Sequence, residues 1–372
     1  MEFNSNFLYK IGPMNNGSLV KTMTLEEKVA QMLFIGFSFD VPDYESAKEL
    51  IKMGVGGLCF YNGSIYNVTA TLNAWQNLAK YPLLIASDFE SGAGEQVSGA
   101  TFLPNNMAVG ATGSEELAFL KGQLTGKEAR ALGVHWVYAP VVDVNNNPLN
   151  PIISTRSFGD EPDKVASLAL AFMKGLREYR VLSCIKHFPG HGDVTVDSHL
   201  TLPRIDVDRK RLEDVELKPF RRCAAAADSI MLGHLLASCL DDKYPASISK
   251  ACVEIIRKEM KFNGIVTTDA FIMGAITKTF DEDKAVELAI LAGVDVILLP
   301  CNAWNQMKKI YDMVKSNQIP EERINRSVER IMRAIMYCGV LDRKITVVEQ
   351  IENLVCTNEN FELALNIARA SI

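Results

Sequence analysis

The chain has 372 residues, of which 48% are hydrophobic and 23% charged, and its formal net charge at pH 7 is −6. This composition is typical of a soluble globular protein, and the acidic balance excludes the basic surface that nucleic-acid binding requires. No apolar run reaches the roughly 20 residues of a transmembrane helix, and the first residues show no signal-peptide pattern. The eight cysteines are scattered without a CxxC pair, which is typical of reduced thiols. We therefore expect a cytoplasmic location, no membrane span and no nucleic-acid partner.

Short apolar segments alternate with helical patterns along most of the chain. The predicted strands are 32–36, 56–60, 83–88, 136–141, 181–185, 229–234, 264–269 and 294–299. The predicted helices are 25–30, 44–53, 70–79, 114–132, 162–178, 215–227, 249–260, 283–291, 321–337 and 361–370. Thr24-Leu25-Glu26-Glu27 is a capping box and opens the first of these helices. Eight strands that alternate with helices predict an α/β fold, a (β/α)8 TIM-type barrel with a C-terminal helical extension.

The domain prediction follows from the same pattern. Residues 1–20 are polar and rich in Asn and Gly, so we expect an N-terminal arm. The catalytic barrel is predicted over 21–340. Residues 341–372 are expected to form a helical tail, which either docks on a single-domain enzyme or leads into a second domain that this chain lacks.

Polar residues fall at or just after the carboxyl ends of five predicted strands. They are Asp88, Asp143, the pair Lys186-His187, His234 and Asp269. In barrels of this type that end carries the chemistry, so five such positions indicate a site. For Asp269 alone, a helix N-cap is an alternative interpretation.

The segment 186–199 holds three of the five histidines. Its spacing Asp197-x-His199 has a chemical use, because a carboxylate beside an imidazole can fix the tautomer of the ring and raise its basicity. A metal-binding or fold-holding histidine cluster is the alternative interpretation.

Several motifs together resemble glycoside hydrolase family 3, in its β-N-acetylglucosaminidase branch. The resemblance extends from about Thr24 to Met336. The most specific motif is Lys186-His187-Phe188-Pro189-Gly190-His191-Gly192 followed by Asp197-Ser198-His199. The other matching segments are Phe102-Leu103-Pro104, Ala139-Pro140-Val141-Val142-Asp143-Val144, Arg156-Ser157-Phe158-Gly159 and Val266-Thr267-Thr268-Asp269-Ala270.

The resemblance implies a role for each of seven residues. Asp269 would be the nucleophile, His199 the general acid and base, and Asp197 the group that orients His199. Asp88, Arg156, Lys186 and His187 would surround the sugar in the first subsite. Such an enzyme removes terminal β-linked N-acetylglucosamine through a covalent intermediate and uses neither a metal nor an organic cofactor. Imidazole titrates near neutral pH, so a histidine can act in turn as acid and base.

Three alternatives remain open from the sequence. A glycoside phosphorylase could use the same scaffold, because a histidine does not repel incoming phosphate as a carboxylate would. A sugar-binding barrel without activity is the alternative from another class. If His199 were not the acid, Glu90 would be the first candidate. Many relatives place an Arg where this chain has Gln96. The sequence also leaves the natural substrate open between a muropeptide, a chitin fragment and a glycoconjugate.

Overall fold

The computed structural model describes residues 16–342 and 346–372. Its ten strands are β1 Leu33–Ser38, β2 Gly57–Tyr61, β3 Leu84–Ser87, β4 Trp136–Val137, β5 Cys184–Phe188, β6 Arg204–Ile205, β7 Ser229–Leu232, β8 Leu236–Ala237, β9 Ile265–Thr268 and β10 Ile297–Leu298. Each of the eight predicted strand segments overlaps one of these strands. The additional strands β6 and β8 pair with each other outside the barrel.

The strands form a closed parallel ring. One sheet has the order β10-β1-β2-β3-β4 and another the order β5-β7-β9. Bridges between Trp136 and Leu182 and between Val141 and Lys186 join β4 to β5, and a bridge between Thr267 and Val296 joins the other ends. The predicted (β/α)8 barrel is therefore confirmed.

The helices cover the outside of the ring. They are α1 Asn16–Thr22, α2 Leu25–Gln31, α3 Tyr44–Met53, α4 Ile65–Leu78, α5 Asn106–Thr112, α6 Glu115–Ala131, α7 Pro162–Glu178, α8 Arg209–Asp214, α9 Leu217–Cys223, α10 Lys250–Glu254, α11 Gly274–Thr277, α12 Glu282–Ala292, α13 Ala303–Lys315, α14 Glu321–Tyr337 and α15 Asn358–Ala370. Within the described residues, none of them combines the length and apolar character that a bilayer crossing requires.

The helix predictions were mostly close. The capping box at Thr24 is present, and α3, α7 and α14 have the predicted bounds. The helix predicted over 215–227 is shorter in the structure, where α9 extends from Leu217 to Cys223, and α8 before it was not predicted. Helix α8 ends at Asp214, because Val215 leaves helical geometry (φ −123°, ψ −73°). A new helix then starts at Leu217, with Pro219 in its first turn, where the missing N–H is tolerated. Helix α13 was not predicted.

The structure describes only part of the predicted N-terminal arm and of the predicted C-terminal tail. The predicted arm lies outside the described residues as far as residue 15, and residues 16–22 form α1. At the other end, α15 packs against α5 and α6. The domain limits themselves stay a prediction.

The interior of the barrel is filled by side chains from several strands. The rings of Phe34 and Trp136 meet edge to face with centroids 5.4 Å apart. The indole N–H of Trp136 donates to the hydroxyl of Ser229 at 2.9 Å. All three residues are fully buried. This packed layer supports the strand ends above it, as in other barrels of this class.

Candidate active site

A cavity of about 520 Å³ opens at the carboxyl ends of the barrel strands. Six of the seven predicted site residues line it: Asp88, Arg156, Lys186, His187, His199 and Asp269. The seventh, Asp197, contacts His199. Residues from β3, β5, β9 and the loops that follow the strands thus converge on one space, because parallel strands end at the same rim.

A network of fixed charges lies on one side of the cavity. The Lys186 ammonium contacts Asp88 Oδ1 and Glu90 Oε1, each at 2.7 Å, and the lysine side chain is only 2% exposed. Arg156 donates to both oxygens of Glu90, from Nε at 2.9 Å and from Nη2 at 2.7 Å. Each charge is thus paired, and the ion pairs hold the donors and acceptors in fixed positions.

The same network disfavours Glu90 as the alternative general acid. Burial acts to raise the pKa of Glu90, but Arg156 and Lys186 lower this pKa far below its ordinary value. The carboxylate is therefore ionised at neutral pH and has no proton to donate. Sequence reasoning could not separate Glu90 from other nearby carboxylates, because the two cations come from distant parts of the chain.

Asp143 holds the backbone of the segment from His187 to His191 in place. Its carboxylate accepts hydrogen bonds from the backbone N–H of His187 at 3.1 Å and of His191 at 2.7 Å. It also contacts the Nδ1 of His187 at 2.8 Å. The Nε2 of His187 then faces Arg156 Nη2 at 3.3 Å, which fixes the ring on both sides. Asp143 stands out in the sequence as a strand-end carboxylate, but this supporting role was not predicted.

Asp269 follows β9 and points into the cavity with one oxygen held. Its Oδ1 accepts the N–H of Ala270 at 2.8 Å. Burial acts to raise the pKa of Asp269, but the imidazoles of His234 and His187 and the Ala270 N–H lower this pKa overall. The carboxylate is therefore ionised. The N-cap interpretation is wrong, since the next helix, α11, begins only at Gly274 with Met273 as its N-cap.

His234 is a supporting group beneath Asp269. Its Nε2 lies 2.9 Å from the carbonyl oxygen of Ala270 and therefore carries the proton. Its Nδ1 lies 2.7 Å from the hydroxyl of Ser247. Burial lowers the pKa of His234, although Asp269 acts to raise it, and the hydrogen bond to Ala270 fixes the backbone beside Asp269.

The predicted pair of Asp197 and His199 is in contact. Asp197 Oδ1 lies 2.7 Å from His199 Nδ1 and also accepts the N–H of His199 at 2.8 Å. The carboxylate therefore selects the tautomer with a proton on Nδ1, and Nε2 remains available. The histidine side chain is 59% exposed at the mouth of the cavity. The third histidine of the segment, His191, contacts Ser198 instead, so the three rings do not form one ligand set.

The loop that carries His199 is attached to the start of α11. The N–H of Gly274 donates to the carbonyl of His199 at 3.2 Å, and the N–H of Ala275 donates to the carbonyl of Ser198 at 3.1 Å. A Cβ on Gly274 would lie 2.6 Å from the His199 oxygen and 3.0 Å from that of Leu200. Only glycine allows this close approach, which joins the loop after Asp269 to the loop that carries His199.

We expect Gly274→Ala to displace the His199 loop and to lower kcat several-fold for glycosides with poor leaving groups. Substrates with good leaving groups should be affected less, because they need less help from an acid. Steady-state kinetics on both substrate types checks this. Gly113→Ala is the control, since Gly113 has a positive φ but does not line the cavity. Equal effects of the two substitutions on both substrate types would contradict the positioning role.

Glu95 is a cavity residue that sequence reasoning missed. Its Oε2 accepts the N–H of Ser91 at 2.7 Å, and its side chain lines the cavity beside Gln96. Burial and the charges of Glu90 and Asp88 raise the pKa of Glu95 to about 7. The only signal in the sequence was a carboxylate in the long loop after a strand-end aspartate.

Glu95→Gln should stabilise the protein at pH 8 and have little effect at pH 5. The folded-state pKa is raised, so the stability that Glu95 contributes is present below its ordinary pKa and is lost as pH rises toward 7. The neutral amide removes that loss. Thermal unfolding at both pH values measures the difference, with the exposed Glu116→Gln as control. A stabilisation that is the same at both pH values would show that Glu95 does not titrate in this range.

The fold and this cavity define a (β/α)8 barrel enzyme with a site at the carboxyl ends of its strands. Residues 24–334 match the family described as "Glycosyl hydrolase family 3 N terminal domain". The chain therefore belongs to glycoside hydrolase family 3, and the resemblance seen in its motifs is confirmed.

Individual relatives agree with this assignment. The chain is 32% identical over 325 residues to a beta-hexosaminidase A of Pseudoalteromonas piscicida, covering 78% of this chain and 54% of that protein. It is 29% identical over 290 residues to a beta-N-acetylglucosaminidase/beta-glucosidase of Cellulomonas fimi, covering 75% and 51%. The chain thus spans about half the length of these two relatives. A solved family 3 beta-N-acetylglucosaminidase from Paenibacillus sp. str. FPU-7 superposes with a TM-score of 0.89 at 34% identity, covering 94% of this chain and 69% of that one.

Proposed function

We propose that the chain is a retaining exo-β-N-acetylglucosaminidase. The observation that carries this proposal is the shared cavity of an ionised Asp269 and a histidine whose Nδ1 is engaged by Asp197. The names of the relatives support the substrate class, since they include beta-hexosaminidases and beta-N-acetylglucosaminidases. Suitable substrates are small oligosaccharides, muropeptides or glycoconjugates that end in β-linked N-acetylglucosamine.

In the first step, Asp269 attacks the anomeric carbon and His199 Nε2 donates a proton to the leaving oxygen. The C–O bond to the leaving group breaks as the bond to the Asp269 carboxylate forms. The ordered Ala270 N–H leaves the second Asp269 oxygen free to attack. Asp197 supports this step, because its contact with His199 Nδ1 holds the ring and leaves Nε2 to face the substrate.

In the second step, the neutral His199 takes a proton from water, and the resulting oxygen attacks the same carbon. The sugar leaves with its original configuration, and Asp269 is again ionised. The histidine lies at the mouth of the cavity, where water and the leaving group both pass.

The charged network supplies the recognition of the terminal sugar. Asp88 and Glu90 present acceptors, while Lys186 and Arg156 present donors, and their ion pairs keep them in place. Sugar hydroxyls can both donate and accept, so such a set binds them without large rearrangement.

Turnover of an aryl β-N-acetylglucosaminide and of the matching aryl β-glucoside tests the proposal. We expect kcat/KM to be higher for the N-acetylglucosaminide. A clear preference for the glucoside would contradict the proposed substrate class. Failure to turn over any aryl glycoside, with sugar binding intact, would support the sugar-binding alternative.

Phosphorolysis is the second candidate, because a histidine stands in the place of a carboxylate acid and base. Against it, the cavity is lined by four carboxyl groups, those of Asp88, Glu90, Glu95 and Asp269, beside only two permanent cations, Lys186 and Arg156. This balance disfavours a dianionic acceptor. Product analysis with and without phosphate should give free N-acetylglucosamine in both cases. A sugar 1-phosphate as the main product would favour the phosphorylase.

We propose a cytoplasmic location as well. All eight cysteines lie in the described part of the chain and are free thiols. Five of them are buried, which suits a compartment that keeps thiols reduced. Cell fractionation with an antibody tests this, and recovery of the protein outside the cytoplasm would contradict it.

A further inference from the structure

A second cavity, of about 470 Å³, lies at the opposite end of the barrel from Asp269. It is formed where β9 and β10 begin, between the segment that leads into β9, the end of α12 and one face of α14. Its charged lining consists of five cations and one carboxylate: Arg257, Lys261, Arg323, Arg326, Arg330 and Glu254.

One buried carboxylate next to this cavity already neutralises part of the charge. Asp295 is fully buried and forms ion pairs with Arg257 and, at 3.0 Å, with Arg330. Its Oδ1 also accepts the hydroxyl proton of Ser327 at 2.6 Å. These contacts of Asp295 anchor α14 to the start of β10, so their role is structural.

Positive charge remains after that pairing. Arg323 donates to the hydroxyl of Ser327 at 2.5 Å and to the carbonyl of Val294. Its Nε is buried and has no hydrogen-bond partner among the residues that the structure describes. Within the described residues, neither Arg326 nor Lys261 takes part in an ion pair. The carboxylate in the lining, Glu254, is itself paired with Lys258 at 3.0 Å. Five cations therefore face two carboxylates, Glu254 and Asp295.

Such a surplus is unfavourable without an anion. Like charges that line one cavity repel one another. A buried N–H group without an acceptor also lowers the stability of the folded protein. Burial and the neighbouring guanidinium groups lower the pKa of Arg323 to about 10, although Asp295 acts to raise it. The whole protein carries a net charge of −6, so the local excess of positive charge is opposite in sign to the net charge of the protein.

We propose that this cavity, which we call the basal cavity, binds the phosphate group of a small molecule. Arg323 and Arg326 lie on one helix, and Lys261 faces them from the segment before β9. Guanidinium groups present pairs of parallel donors that match phosphate oxygens, and an ammonium adds a point charge. The volume of the basal cavity accommodates a phosphate together with an attached group of modest size.

Isothermal titration and thermal unfolding of the whole chain test the proposal. The probes are inorganic phosphate and a hexose 6-phosphate, each compared with chloride at matched ionic strength. We expect both phosphates to bind and to raise Tm in a saturable way, and chloride to do neither. Tighter binding of the hexose phosphate would identify a phosphorylated metabolite as the ligand, and equal binding would identify free phosphate.

The double variant Arg326→Gln with Lys261→Gln should weaken phosphate binding about tenfold or more. Both side chains lie at the rim without ion pairs, so the protein should remain folded. Lys308→Gln removes an exposed lysine outside the basal cavity and is the matched control. Saturating N-acetylglucosamine should leave phosphate binding unchanged, because it occupies the other end of the barrel. Equal phosphate binding by the wild type and the double variant would overturn the proposal, as would stabilisation no greater than that by chloride.

Discussion

Asp269→Ala should abolish turnover while the protein remains folded. Removing the nucleophile of a covalent mechanism typically lowers kcat by many orders of magnitude, and we expect a loss of at least about ten-thousand-fold. The structural cost is small by comparison. Within the described residues, the Asp269 side chain accepts one hydrogen bond, from the Ala270 N–H, whose loss costs about 1 kcal/mol. The backbone N–H of Asp269 donates to the Leu232 carbonyl, and alanine keeps that bond. Hydrolysis of an aryl β-N-acetylglucosaminide, together with thermal unfolding, measures both effects.

The matched control is Asp281→Ala. Asp281 is the N-cap of α12 and accepts the N–H of Lys284 at 2.9 Å. Its loss should also cost about 1 kcal/mol but should leave turnover unchanged. If folded Asp269→Ala protein retained near-normal activity, the glycosidase proposal would fail.

Much of the barrel could be predicted because its signals are local. Each strand is a short apolar run, and each helix has a cap or a 3.6-residue period, as at Thr24 and in α14. Those signals depend on neighbours in the sequence. Helix α8 was missed because it has only six residues, and the buried Glu216 that follows it is held by Arg211 at 2.7 Å.

The site could be predicted only as far as its residues stand at strand ends or in a recognisable motif. Lys186, His187 and Asp269 satisfy both conditions. The protonation states could not be predicted, because Glu90 and Glu95 lie five residues apart and their pKa values are shifted in opposite directions. Arg156 and Lys186 contact Glu90, whereas Glu95 faces other carboxylates. The basal cavity could not be predicted either, because its cations come from two segments far apart in the sequence, the one before β9 and helix α14.

His199→Ala tests the mechanism separately from the family. If His199 protonates the leaving group, its loss should matter most for substrates whose leaving group cannot depart unassisted. An aryl glycoside with a strongly acidic phenol needs little proton donation, so the glycosyl-enzyme should still form there at a modestly reduced rate. Hydrolysis of that intermediate should be slow, because water has lost its base. We expect a burst of phenol release, followed by a low steady-state rate of release.

Azide should restore turnover of the His199→Ala protein and yield the β-glycosyl azide, since azide needs no deprotonation. Asp197→Ala should give the same pattern in milder form, because the imidazole remains but loses its partner at 2.7 Å. Leu200→Ala, an exposed change on the same loop, is the control and should leave both steps intact. If His199→Ala lowered the rates equally for good and poor leaving groups and azide had no effect, His199 would be structural. The acid would then be sought at Glu95, whose pKa of about 7 allows it to hold a proton, and not at the ionised Glu90.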